Sequence, residues 1–203
     1  MKLKDEQKYD RLIQAAVTVL AQGGLANFST TKVAKAAGIP QSNVYIYFKN
    51  KQSLLEAVFQ TTIHQESIAV VQTIDTKRSL PEQIVASISA LYRFCLAEPE
   101  VVAAIQVLTE DIATKQTMHL KRDDTANQQI QTMLTDGVAT GVLRKTDLNL
   151  LRYFLTRPVF RFAEGVRQGL YTDTPKNLTD LTNMIMGAVL LPATYQNWLI
   201  TND

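Results

Sequence analysis

The stretch Phe28–Leu54, FSTTKVAKAAGIPQSNVYIYFKNKQSL, decides how this chain is read. It spells two short helices folded about one glycine. Ser29 and Thr30 are N-cap residues, whose side-chain oxygens accept from the free N–H groups of a first helical turn. Val33, Ala34 and Ala37 follow at three- and four-residue spacing, small enough to let another helix approach. Gly38 stands where a left-handed C-cap is needed. Ile39 then re-enters the apolar core, and Pro40 opens a second helix, since a first turn tolerates proline. That second helix turns Val44 and Phe48 inward. Gln41, Ser42, Asn43, Tyr45 and Tyr47 are left on its other faces, each with a hydrogen-bonding group at its tip.

A helix, a tight glycine turn and a second helix bearing Gln, Ser, Asn and Tyr make up a helix-turn-helix, whose second helix lies in the DNA major groove. Phe28, Thr30, Val33, Ala34, Ala37, Gly38, Ile39, Val44, Tyr45, Phe48, Lys51 and Leu54, in that spacing, resemble the DNA-binding signature of TetR-family transcriptional regulators. Two positions depart from the commonest pattern. Pro40 stands where Ser or Thr often caps the recognition helix, and Gln52 where an acidic residue is usual. The resemblance implies an all-α fold: a three-helix DNA-binding head over residues 1–51, and a larger helical ligand-binding and dimerisation body over 52–203. A connector helix would run from the head to about residue 74.

Charge is distributed as such a head requires. Residues 1–51 carry eight basic and three acidic side chains, a net of +5, while the remainder carries thirteen basic and sixteen acidic, a net of −3. A basic end on a mildly acidic body is the electrostatic footprint of DNA binding. The one cysteine, Cys95, excludes an internal disulfide framework and fits a reducing cytoplasm. The N-terminus MKLKDEQKYD has no apolar signal-peptide core. The longest apolar run, Met184–Leu191, is far short of the roughly 18 residues of a membrane span, so a cytoplasmic protein without membrane contact is expected.

Outside the head, the periodicity predicts helices over about 5–22, 50–74, 81–96, 100–114, 121–139, 148–170 and 178–199. Gly23-Gly24 should stop the first, and Asn50 and either Thr146 or Asp147 should cap later ones. Lys4, Lys8 and Arg11 are early charges able to reach phosphate. Pro158 and Pro192 should bend the last two helices, because proline removes a backbone donor and clashes with the preceding turn. Those two helices carry apolar residues over more than one face, which implies a partner subunit. In the resembled family they pair with their copies as a four-helix bundle, and the expected interface residues are Leu155, Phe160, Phe162, Met184, Val189 and Tyr195. Gly165 and Gly169 have GxxxG spacing, which either lets two helices approach closely or frays a helix end.

Enzymatic chemistry finds no constellation. Two histidines, His64 and His119, and no paired cysteines spell neither a zinc site nor a Cys-His nucleophile, and no glycine-rich phosphate loop occurs. The pairs Glu110-Asp111 and Asp123-Asp124 diverge on a helix. No cofactor or metal is expected. The reading is a homodimeric repressor on a palindromic operator in double-stranded DNA, released by a small-molecule effector; an activator or a ligand-independent DNA-binding or interaction module is the alternative. Gln41, Ser42, Asn43 and Tyr45 would meet base edges, and Thr30, Thr31, Lys32, Tyr47 and Lys51 phosphates. Phe59, His64, Tyr92, Val107, Phe154 and Met184 would line the effector pocket, and Cys95 is a remote candidate for a redox sensor.

Overall fold

The computed structural model describes residues 2–110 and 124–202, with side chains from 6 to 200 of that set. Ten helices make up the described residues: α1 (Lys2–Asn27), α2 (Thr30–Ala37), α3 (Gln41–Tyr47), α4 (Lys51–Val71), α5 (Leu80–Ala97), α6 (Pro99–Glu110), α7 (Thr125–Ala139), α8 (Leu148–Arg167), α9 (Pro175–Val189) and α10 (Pro192–Asn202). The expected ends of helices at 111–114 and 121–123, with His119, Asp111 and Asp123, lie outside the described residues.

The chain forms two compact units, Met1–Gln65 with Glu98–Arg122, and Glu66–Ala97 with Asp123–Asp203. In the first, α1 lays Leu12, Ile13, Ala16, Val17 and Leu20 into the core and packs against α2 and α6. This is why α6, distant in sequence, groups with the head. The first helical run of α1 stops at Gly23-Gly24, as expected. Gly24 takes φ 62°, ψ −177°, which turns the chain, and helical structure then resumes to Asn27. A glycine is the residue that makes this turn without strain. Asn50 caps α4 as expected: its Oδ1 accepts from Ser53 N at 2.8 Å, and Ser53 Oγ accepts from Asn50 N at 3.1 Å. α4 contributes to the first unit up to Gln65 and to the second from Glu66.

In the second unit α8 is central, packed against α5, α7 and α9 over a core that includes Ile84, Ile88, Leu134, Leu143, Phe160 and Met186. Asp124 caps α7 and Asp147 caps α8, each through a side-chain oxygen accepting from a first-turn N–H. α8 continues through Pro158. Pro192 behaves otherwise: α9 ends at Val189, Leu190 and Leu191 leave the helix, and Pro192 is the first residue of α10. The expected single helix over 178–199 is therefore two. Leu191 N bonds to Val142 O at 3.0 Å and Arg144 N to Val189 O at 2.9 Å, so backbone groups freed by the break find partners in the turn before α8.

Neither reading of the GxxxG pair describes both glycines. A Cβ on Gly165 would overlap the ring of Tyr171, which stacks on Phe162, so the close approach is within the chain. Gly169 has φ 74° and ends the helix. Cys95 is buried, and burial, with the carboxylate of Glu66 adding to it, pushes its thiol up to about 12. At neutral pH it is a protonated core side chain and not a reactive thiolate.

Candidate nucleic-acid interface

The geometry of the reading helix is built from caps. Ser29 Oγ accepts from Lys32 N at 3.2 Å to start α2. Gly38, at φ 62°, ψ 37°, ends it: Gly38 N bonds to Lys35 O at 3.2 Å and Ile39 N to Ala34 O at 3.0 Å, which satisfies two of the last carbonyls of α2. The Arg11 guanidinium donates to a third, Ala37 O. Arg11, a candidate for phosphate contact, thus ties α1 to the turn and places a cation at the negative end of the α2 dipole.

Pro40 lies just outside α3, at φ −55°, ψ 138°, and as an N-cap offers no side-chain oxygen. Its carbonyl takes the Asn43 N–H at 2.9 Å. Val44 and Phe48 are buried as expected, and this fixes which side of α3 faces out. Gln41 and Ser42 are exposed, Asn43 is half-buried, and Tyr45 is 52% exposed. The Tyr45 hydroxyl lies 3.3 Å from Thr30 Oγ1, so one residue expected at a base and one expected at phosphate are brought together. Thr31 and Lys32 are exposed on α2. Tyr47 is half-buried, its ring edge-on to Tyr9 at 6.2 Å, and Tyr9 in turn lies 5.3 Å from Phe48. That aromatic cluster joins α3 to α1. Burial first, and then Asp10, raise the pKa of the Tyr9 hydroxyl, which keeps it neutral. Lys51 spreads over the Phe28 ring, 5.7 Å from its centroid, with Nζ 3.5 Å from Leu25 O.

Along the chain on either side of this helix the charges are of one sign. No Asp or Glu occurs between Asp10 and Glu56, whereas Lys32, Lys35, Lys49 and Lys51 are all exposed. Residues 12–58 match the family model described as "Bacterial regulatory proteins, tetR family". The helix-turn-helix head belongs to the tetR family of bacterial regulatory proteins. Relatives of the chain agree along most of their length. The chain is 24% identical over 182 residues to the "Fatty acid metabolism regulator protein" of Bacillus subtilis, covering 88% of this chain and 92% of that one. A TetR family transcription regulator from Marinobacter aquaeolei superposes with a TM-score of 0.80 at 24% identity, covering 94% and 99% of the two chains. FadR from Bacillus subtilis, solved in complex with stearoyl-CoA, superposes with a TM-score of 0.57 at 22% identity, covering 88% and 96%. All three are regulatory proteins, two of them transcription regulators.

The residues expected to line an effector pocket fall in both units and differ widely in exposure. Phe59 is buried, Val107 half-buried and His64 exposed in the first. In the second, Tyr92 is buried, donating its hydroxyl to Asp173 Oδ1 at 2.7 Å and packing on Phe162, while Phe154 and Met184 are exposed. A half-open cleft of about 360 Å³ lies elsewhere in the second unit, lined by residues that include Val85, Ser89, Leu178, Thr182, Asn183 and Trp198. Nothing in the sequence pointed to it, because α10 closes one of its sides and a helix read straight through Pro192 has no α10.

The expected dimer residues also separate. Phe160 is 2% exposed and Val189 0%, so both belong to the core of the second unit. Phe162 is held between Tyr92 and Tyr171. Tyr195 stacks on Trp198 and donates to Asn183 O at 3.3 Å. Leu155 is half-buried, and Met184 is 73% exposed. The open apolar side chains of these helices are Met184 on α9 and Leu150, Tyr153 and Phe154 on α8, the last three following at helical spacing. No described helix is long and apolar enough to cross a membrane.

Proposed function

We propose that this regulator is a cytoplasmic homodimeric repressor that holds a palindromic operator with two α3 helices and leaves it when a small-molecule effector binds the body. The observation that carries the proposal is the outward face of α3, with Gln41, Ser42 and Tyr45 exposed inside a stretch that has four exposed lysines and no carboxylate. Gln and Asn pair best with adenine, so A·T pairs belong in the half-site. Thr30, Thr31, Lys32, Tyr47 and Lys51 contact phosphate and set the register of the head. The subunits pair through the exposed sides of α8 and α9. Fatty acyl-CoA is the first effector class to test, since a regulator of fatty acid metabolism aligns over 88% of this chain and a FadR was solved with stearoyl-CoA. Effector binding and operator binding then oppose each other by one reciprocal factor.

The test is selection of sites from a random duplex library, followed by anisotropy titration of the winner with stearoyl-CoA and free stearate present. A palindrome enriched and then released by the thioester supports the whole proposal. A palindrome that no acyl compound releases removes the effector class alone. Weak binding without sequence preference refutes operator recognition. Trp198 is the chain's one tryptophan and lines the 360 Å³ cleft, so its emission reports whether an effector enters there.

Lys51→Ala should weaken binding to operator and random duplex alike and reduce the slope of log K against log salt by about 0.9. Losing its contacts with Phe28 and Leu25 O costs the fold about 1 kcal/mol at most. A loss confined to the operator would place Lys51 at a base instead.

A further inference from the structure

We propose that Ile46 is a specificity-determining residue of the reading helix and that its side chain packs against the C5-methyl group of a thymine in each operator half-site. The inference rests on the operator reading above and adds one contact that the polar inventory of α3 leaves out. Ile46 is 72% exposed. It sits two residues from Val44 and two from Phe48, both buried, and two residues along an α-helix is a little over half a turn. Packing of Val44 and Phe48 therefore forces Ile46 onto the side of α3 that faces away from the head. Ser42, one turn earlier, and Tyr45 share that side, and both are exposed.

A single exposed apolar residue is ordinary on a protein surface. This one is not isolated. Among the described residues of the first unit, the exposed large apolar side chains are Tyr45 and Ile46, adjacent to each other and both on α3. Helix propensity does not account for isoleucine there, since Ala, Leu, Lys or Glu would each favour a solvated helix more. Nor does a contact within the head, because the neighbouring Tyr45 is the one engaged, with its hydroxyl at Thr30 Oγ1. A β-branched side chain is stiff about χ1, so it loses little freedom on meeting a partner. In the major groove the apolar feature available to it is the thymine methyl, which distinguishes T·A from the other pairs. Ile46 supplies an apolar term beside the hydrogen bonds of Gln41, Ser42 and Tyr45, and that combination selects thymine at a fixed offset from the adenine they read.

The test removes the methyl from the DNA and the side chain from the protein in turn. Each thymine of the selected operator is replaced symmetrically by deoxyuridine, and wild type and Ile46→Ala are titrated against every duplex. Circular dichroism and sedimentation show that the variant is folded with unchanged association state. At one thymine position uracil should weaken wild type about threefold to tenfold per half-site. At that same position it should leave Ile46→Ala within about twofold, because the partner is already missing. Uracil effects equal in both proteins at every position overturn the contact while leaving operator recognition intact. So does an Ile46→Ala chain that binds the operator as wild type, or one whose association state alone has changed, which would make Ile46 a protein contact. A chain that selects no duplex sequence overturns this contact and the operator reading together.

Discussion

Phe160→Asp should abolish cooperative folding of the second unit, seen as loss of its thermal transition in circular dichroism and as rapid proteolysis of the body at 25 °C. Phe160 is 2% exposed on α8, the helix that α5, α7 and α9 all pack against. Removing a buried phenyl ring costs about 3–5 kcal/mol through lost transfer energy and the space left behind. An unpaired carboxyl in its place adds several kcal/mol more, whether it stays charged or takes up a proton. Arg157, whose guanidinium lies 6.0 Å from the ring centroid, can meet the new carboxylate. A half-exposed ion pair returns only about 0–1 kcal/mol. Since the whole stability of such a unit is of the order of 5–15 kcal/mol, the sum is enough to unfold it. Val189→Asp on α9 is the same experiment from the facing helix. A Phe160→Asp chain that melts as wild type does but sediments as a lighter species would put the ring in a subunit interface instead.

That result bears on which parts of the molecule were legible in the sequence. The head was, because its determinants act over three to five residues. Ser29 caps the turn that follows it, Gly38 closes the turn that precedes it, and Asn50 exchanges hydrogen bonds with Ser53. Residue type and local position are enough to predict each of these. The body was legible only as a set of helices. Phe160, Val189 and Met184 look alike in an apolar pattern that runs over more than one face of a helix. Which of them is core depends on α5, α7 and α9, and those neighbours are set by packing across the unit. The break at Leu190–Leu191 is also long-range: proline ends α9, but the freed backbone groups are met by Val142 and Arg144, almost fifty residues earlier. Gly165 gave a spacing that suits helix pairing, and the ring it accommodates arrives from the next loop. At the candidate site the polar residues of α3 were found by type. Ile46 carries no polar group and so falls outside that selection by type; its exposure is what marks it.

Met184→Glu should leave the fold intact and give a monomer that binds the operator at least a hundredfold more weakly. The side chain is 73% exposed within the chain, so a glutamate there remains solvated and costs the monomer within about 0.5 kcal/mol. In a dimer closed by a two-fold axis each substituted surface meets its own copy, and a self-complementary interface brings the change in twice. Two desolvated, like-charged carboxylates then replace two apolar contacts, a penalty of several kcal/mol on association. Operator affinity falls with it, because two linked heads bind the second half-site at the high effective concentration set by their connection, and separate heads do not. Tyr153→Glu on α8 should act in the same direction, since Leu150, Tyr153 and Phe154 are the exposed apolar run of that helix. Sedimentation equilibrium and operator anisotropy, measured on one preparation with its melting curve, separate the possibilities. A folded Met184→Glu chain that remains dimeric with full operator affinity would show that Met184 lies outside the interface. A dimer that also survives Tyr153→Glu would take the interface away from α8 and α9. Contrast with Phe160→Asp gives the experiment its resolving power: the two residues have similar apolar character and lie on neighbouring helices, yet one substitution should end folding and the other only pairing.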